Sequence, residues 1–289
     1  MTVMKAQEPD DNLARQEHYA HGYDSALTLK FHASRTAASH AAFFLPYLQP
    51  GMRLLDCGSG SGSITLGLAQ IVAPAWVTGI DISEVEIERA EGRAAEEGVT
   101  NIHFEVGNLY KLAFPAQSFE AVFAHNVLEH VGEPIKALQE MHRVLKPGGV
   151  MGIRDVDMGG ALLAPADELV HQYLTLLEAV WEGAGGHPRL GRRLRGLLHE
   201  AGFVDVAASA SYEVYGDPER LRFISQIAAS RCAEPDFVRQ VVERGLADRE
   251  RLEEIKGALQ VWAERPDAFS AIAHCEVVGR KNKVEKTDS

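Results

Sequence analysis

Leu54-Leu55-Asp56-Cys57-Gly58-Ser59-Gly60-Ser61-Gly62 runs an apolar strand straight into a Gly-x-Gly-x-Gly turn, and the apolar-periodic segment ITLGLAQIV (64–72) follows as a helix. Glycine supplies backbone angles that a Cβ forbids and lets a ligand lie against bare amides at a helix N-terminus. About twenty residues on, WVTGIDI (76–82) reads as a second strand ending at Asp81. An acid at that strand tip is placed to accept hydrogen bonds from ribose hydroxyls. The glycine turn alone says little, because a tight turn beside a solvated acid gives the same letters. In the order strand, turn, helix, strand, acid, it points to an adenosine-type cofactor.

Outward from this unit the alternation continues. EVEIERAEGRAAEEG (84–98) is a charged helix, NIHFEVG (101–107) and FEAVFAHN (119–126) are strands, and PIKALQEMHRVLK (134–146) is a helix closed by Pro147-Gly148-Gly149. VMGIRDVD (150–157) is the next strand. Strands and helices alternating at this spacing imply right-handed βαβ units and a parallel sheet. Beyond residue 158 the rhythm slackens into apolar helical stripes, with strands expected at FVDVAASASYEVY (203–215) and AFSAIAHCEVVGRK (268–281). The expected organisation is an N-terminal helical lid over 1–50 and a main domain over 51–280. Helical insertions at about 160–186 and 217–266 belong to that domain, and a disordered tail covers 281–289.

Composition narrows the classes. The 289 residues carry a formal net charge of −12, which disfavours a nucleic-acid partner, since phosphates demand a basic footprint. No apolar run is long enough for a membrane span. Cys57, Cys232 and Cys275 are odd in number and widely spaced, which argues against a disulfide framework or a metal site and favours a reducing, cytoplasmic setting.

Which cofactor follows from further motifs. A dinucleotide turn wants a third Gly or Ala where this chain has Ser63, and about fifty residues precede the first strand. LLDCGSGSG (54–62), GIDIS (79–83), FEAVFAHNVLEHV (119–131) and RVLKPGG (143–149) occur in the order and spacing of the class I S-adenosylmethionine-dependent methyltransferases. The chain resembles in particular the broad group that includes the ubiquinone and menaquinone C-methyltransferases. The likeness covers roughly residues 30–157, with a weaker echo in LHEAGF (198–203).

That resemblance implies a Rossmann-like, doubly wound α/β fold with a seven-stranded sheet, mostly parallel with the last strand antiparallel, and helical lid insertions. It implies S-adenosylmethionine as cofactor, S-adenosylhomocysteine as product, and a small-molecule methyl acceptor. Gly58, Ser59, Gly60 and Gly62 would line the methionine and ribose portion, and Asp56 would support the loop or reach the amino group. Asp81 would take the ribose, and Ile82 would pack on adenine. The family's acid after the third strand is replaced here by Asn108, beside Leu109. His125 would border the methionine part. The lead-in HASRTAASHAAFFLPYLQPGMRLLD (32–56) is similar to that of some bacterial small-molecule methyltransferases, which implies that His32, Arg35 and Thr36 lie on a helix covering the cofactor, with Arg35 suited to its carboxylate. Tyr19 and Tyr23 are candidates to close over the sulfonium, where an aromatic face attracts a cation.

Methyl transfer needs a base only if the acceptor must lose a proton. His125, His130 and Asp155 are the candidates carried forward. Strand alternation points Arg154 and Val156 one way and Asp155 and Asp157 the other, and Asp155 is nominated as the substrate-facing acid. Tyr173, Trp181 and His187 are candidates for the wall of the acceptor pocket, against the plainer reading of a lid helix using its stripe as core. The competing classes are a nicotinamide oxidoreductase, a non-catalytic cofactor-binding protein and a nucleic-acid base methyltransferase. The last is disfavoured because His125-Asn126-Val127-Leu128 stands where that group has a [DNS]PP[YFW] signature. The acceptor atom (O, N or C) and the oligomeric state, a homodimer included, stay open.

Overall fold

The computed structural model describes residues 26–283. Tyr19 and Tyr23, the earlier part of the expected lid, and the chain beyond Lys283 lie outside the described residues. Two short helices lead in, α1 (Ala26–Ala33) and α2 (Ala37–His40). Thr36 caps α2 and forms a reciprocal box with Ser39. Then come β1 (Leu54–Cys57), α3 (Thr65–Val72), β2 (Val77–Asp81), α4 (Glu84–Glu97), β3 (Ile102–Val106) and β4 (Phe119–His125). They are followed by α5 (Pro134–Val144) and β5 (Leu145–Ala164).

One sheet has the order β3-β2-β1-β4-β5-β7-β6, where β6 is Val204–Tyr215 and β7 is Phe269–Arg280. β1 through β5 pair in parallel, and β7 runs antiparallel to both β5 and β6. The expectation of a mostly parallel seven-stranded sheet with an antiparallel last strand therefore holds. β1 and β4 are neighbours whose chains wind off in opposite directions. That makes the crevice beyond their carboxyl ends the topological switch point, where ligands bind in such sheets.

Both faces of the sheet are covered. Phe44, Leu68 and Phe123 anchor the core under α2 and α3, while Leu138, Met141, Leu198 and Phe203 anchor the opposite face under α5 and α7 (Leu194–Glu200). Each such side chain gives up about 2 kcal/mol of unfavourable hydration when it is buried. A third core joins α6 (Glu168–Gly183) to α8 (Pro218–Arg231), α9 (Pro235–Glu243) and α10 (Arg249–Ala263) through Leu177, Trp181, Leu252 and Trp262. The stripe on α6 (Val170, Tyr173, Leu176, Leu177, Val180, Trp181) is buried, as its helical spacing requires.

One boundary differs from the sequence reading. Residues 160–164 were expected to open a helical insertion, yet β5 continues to Ala164 and the helix begins only at Glu168. Past a bulge after Asp157, Leu162, Leu163 and Ala164 pair with Ala271, Ser270 and Phe269. The length of β7 carries β5 beyond the point where Gly159-Gly160 suggests a loop.

Candidate active site

Two adjoining cavities open above the carboxyl ends of β1, β2, β4 and β5. The first is lined by the glycine turn, Asp56, Asp81, Ile82, Asn108, Leu109, His125, Asn126, Val127, His130 and Val131, with His32 and Arg35 closing it from α1 and the residues after it. The glycine turn is tight for a physical reason. Gly58 has φ +75°, and a Cβ there would sit 2.3 Å from Val127 Cγ2. The amides of Gly58 and Ser59 donate to Ile80 O at 2.8 and 2.9 Å, which holds the turn against β2. The Gly60 amide donates to Asp81 Oδ2 at 2.9 Å, and the Ser83 amide donates to Oδ1 at 2.9 Å. Burial raises the Asp81 carboxyl above its usual range, and these two amides pull it back toward the charged form.

The structure sorts the candidates for this cavity. Arg35, Asp56, Gly58, Ser59, Gly60, Asp81, Ile82, Asn108, Leu109 and His125 line it together. Ile82 is 52 % exposed, an apolar face open to the cavity. Asn108 Oδ1 accepts from the Tyr110 amide at 2.8 Å, which stiffens its loop. Gly62 is a correction. It does not line the cavity, and a Cβ on it would press Phe104 and Ala90, so this glycine serves helix packing. Asp56 accepts from Thr65 Oγ1 at 2.6 Å, which favours its loop-supporting role, and burial lifts its carboxyl to about 7.

The second cavity is walled by Phe31, Val156, Met158, Leu177, Trp181 and Tyr215, with Tyr173, Arg231 and His274 also at its lining. It holds about 870 Å³ of atom-free space, part of it open to solvent, on the scale of a small organic ligand. His32, Arg35, Asn126 and His130 line both cavities and mark where they meet.

Three further nominations are corrected. Asp155 is 0 % exposed and lines neither cavity. Its Oδ1 accepts from the Val127 amide at 3.0 Å, so it braces the loop after β4. Strand alternation separated it properly from Val156, but Val156 and Met158 are on the cavity side. His187 also lines neither cavity, and its backbone amide donates to Glu129 O at 2.6 Å. His125 borders the first cavity, but Arg154 Nη1 lies 2.8 Å from its Nε2. A guanidinium can only donate, so that lone pair is taken and unavailable to a proton. Burial, with Arg35 and Arg154 nearby, drives its pKa far below the usual histidine range.

His130 does reach both cavities. It stacks on Trp181 at 4.8 Å, its Nε2 lies 3.5 Å from Glu129 Oε1, and burial lowers its pKa to about 3. Neutral imidazole is therefore its resting form. Glu129 is the neighbour that the motifs did not reveal. It is buried, accepts from the Val156 amide at 2.7 Å, and has its pKa raised by burial and by the Asp155 charge. Asn126, Glu213, His274 and Arg231 were also missed. The last three come from β6, β7 and α8, and only the packing of these late elements brings them to one cavity. Asn126 had a local signal, as a polar residue directly past a parallel strand. Among the described residues, no cluster of His, Cys, Asp or Glu is arranged to hold a metal ion, and no helix is long and apolar enough to cross a membrane.

Comparison with known proteins shows the family and the fold. A methyltransferase-domain family model matches residues 48–202. An uncharacterized methyltransferase of Schizosaccharomyces pombe is 31% identical over 276 residues, covering 93% of this chain and 98% of that protein. A demethylmenaquinone methyltransferase of Geobacillus kaustophilus is 32% identical over 180 residues, covering 55% of this chain and 74% of that protein. The crystal structure of the YcgJ protein from Bacillus subtilis superposes with a TM-score of 0.57 at 20% identity, covering 84% of this chain and 97% of that one, a likeness of fold.

Proposed function

The chain belongs to the class I S-adenosylmethionine-dependent methyltransferases, and from that premise we propose that it methylates an O, N or C atom of a small, largely apolar organic acceptor held in the second cavity. The observation that carries this reading is the meeting of the two cavities at His32, Arg35, Asn126 and His130. A cofactor held beside the glycine turn and an acceptor among the late helices would face each other there.

The residues of the first cavity fit the cofactor. Gly60 borders nearly open space, where a Cβ would meet only Glu86 Oε2 at 3.9 Å, Asp81 offers a carboxylate at the strand tip, and Arg35 carries a buried Nε without a hydrogen-bond partner among the described residues. Asp81 would accept from the ribose hydroxyls, Ile82 would cover the adenine face, and Arg35 would pair with the methionine carboxylate. Bound there, S-adenosylmethionine would supply an electrophilic methyl group to an electron pair of the acceptor, a lone pair on O or N or a π or carbanion pair on C, with the C–S pair left on sulfur. The protein's contribution is alignment and exclusion of water, which together can account for about 7 kcal/mol or more of the barrier. His130, as a neutral imidazole at the junction, would hold the acceptor by a hydrogen bond. Asp155 and Glu129 would fix the loop that carries it.

Calorimetry and turnover test the reading. S-adenosylhomocysteine is expected to bind the full chain, and incubation with methyl-labelled cofactor and a metabolite extract is expected to label a small product. Silence with both cofactor forms alongside tight NADH binding would overturn it.

A further inference from the structure

Asn126 stands directly past the end of β4 with φ +53°, in the left-handed region that Asn tolerates better than most residues. The backbone on both sides is pinned. Its own amide donates to Arg154 O at 2.9 Å, and the next amide, of Val127, donates to Asp155 Oδ1 at 3.0 Å. Val127 is itself wedged against Gly58. The Asn126 side chain is thereby aimed at the junction of the two cavities, which it lines on both sides. Its Oδ1 is shielded from solvent and accepts no hydrogen bond from any described residue. A buried carbonyl oxygen without a donor is costly, and a site built around one rejects ligands that cannot supply the hydrogen.

We infer that Asn126 is a specificity-determining residue whose carboxamide oxygen selects an acceptor with an apolar body and a hydroxyl or amine hydrogen at its reacting end. This rests on the assignment of the two cavities given above. The apolar body would contact Phe31, Val156, Leu177, Trp181 and Tyr215. The donated hydrogen fixes which end of the molecule enters the junction.

Matched probes test it without knowledge of the natural acceptor. 1-Naphthol, 1-naphthylamine and 1-methoxynaphthalene share one flat apolar skeleton, and only the first two carry a hydrogen to donate. Their affinities for the full chain are measured by titration with and without saturating S-adenosylhomocysteine. The wild type is expected to prefer 1-naphthol over 1-methoxynaphthalene by about tenfold, the worth of one such hydrogen bond. Asn126→Gly accepts the same backbone angles and should reduce that preference to about twofold or less. Asn126→Asp keeps the oxygen, discards the amide hydrogens and should keep the preference. Equal binding of the probes by the wild type, a preference surviving in Asn126→Gly, or its loss in Asn126→Asp would each overturn the inference. Failure of the wild type to bind S-adenosylhomocysteine instead overturns the cofactor assignment, and the titrations without it still decide the role of Asn126.

Discussion

Gly58 and Asp56 sit two residues apart and make different demands. At Gly58 a methyl group would meet both a left-handed backbone and Val127 Cγ2 at 2.3 Å. Gly58→Ala should therefore cost about 2 to 4 kcal/mol, from backbone strain plus overpacking, and weaken S-adenosylhomocysteine binding as Val127 is displaced. Urea unfolding and calorimetry on the same variant read the two effects. Asp56 is a titration problem. Burial raises its carboxyl from 3.8 to about 7, against the pull of the Thr65 hydroxyl. A folded-state pKa above the unfolded one means that the fold retains the proton. The associated stability is present below about pH 4 and is lost as pH rises through 7. The window is worth up to roughly 4 kcal/mol, so Asp56→Asn, which can still accept from Thr65, should flatten the decline between pH 4.5 and 8. A wild type and variant with parallel denaturant midpoints over that range would contradict this account. Single residues also show where sequence reading stops. The glycine turn and Asp81 were legible because each serves its own strand end. Asp155 was misplaced because alternation says which side chains share a face, while only the packed structure says which face borders a cavity.

At the scale of elements, α6 is one wall of the second cavity, through Tyr173, Leu177 and Trp181. Its first turn is held by Asp167, whose Oδ1 accepts from the amides of Leu169 and Val170 at 3.0 and 3.1 Å. Asp167→Ala should cost about 1 kcal/mol of stability by the usual loss of an N-cap. Because the first cavity takes no residue from α6, S-adenosylhomocysteine affinity should be unchanged while naphthol binding weakens. An equal loss of both ligands would mean that the two cavities are not supported separately. The helices and strands from β1 to Asp157 were legible because hydrophobic period and glycine punctuation agree there. Residues 160–164 were not, because their strand is imposed by pairing with β7 more than a hundred positions later in the chain. The walls that α8, β6 and β7 give the second cavity share this non-local origin, which is why Glu213, Arg231 and His274 were missed.

For the whole molecule, the division of labour along the chain leads to a prediction about ligand-linked stability. The first cavity is built from β1, β2, β4, the loops that follow β1 to β4 and the lead-in at His32 and Arg35, whereas most of the second comes from elements after residue 155. A ligand confined to the first cavity should stabilise the native state by mass action without reorganising the late helices. At a hundredfold excess over its dissociation constant the gain is about 2.7 kcal/mol. For 289 residues the unfolding entropy is on the order of 0.6 kcal/mol/K, so the Tm should rise by about 4 °C. S-adenosylhomocysteine should produce that shift in a thermal scan, and NADH at the same concentration should not. Hydrogen exchange locates the effect. Protection is expected in segments 58–63, 81–83 and 107–110, with little change over 218–263, because the last of these packs on α6 and borders only the acceptor side. Protection confined to 218–263 would place the cofactor in the second cavity and reverse the assignment of the two.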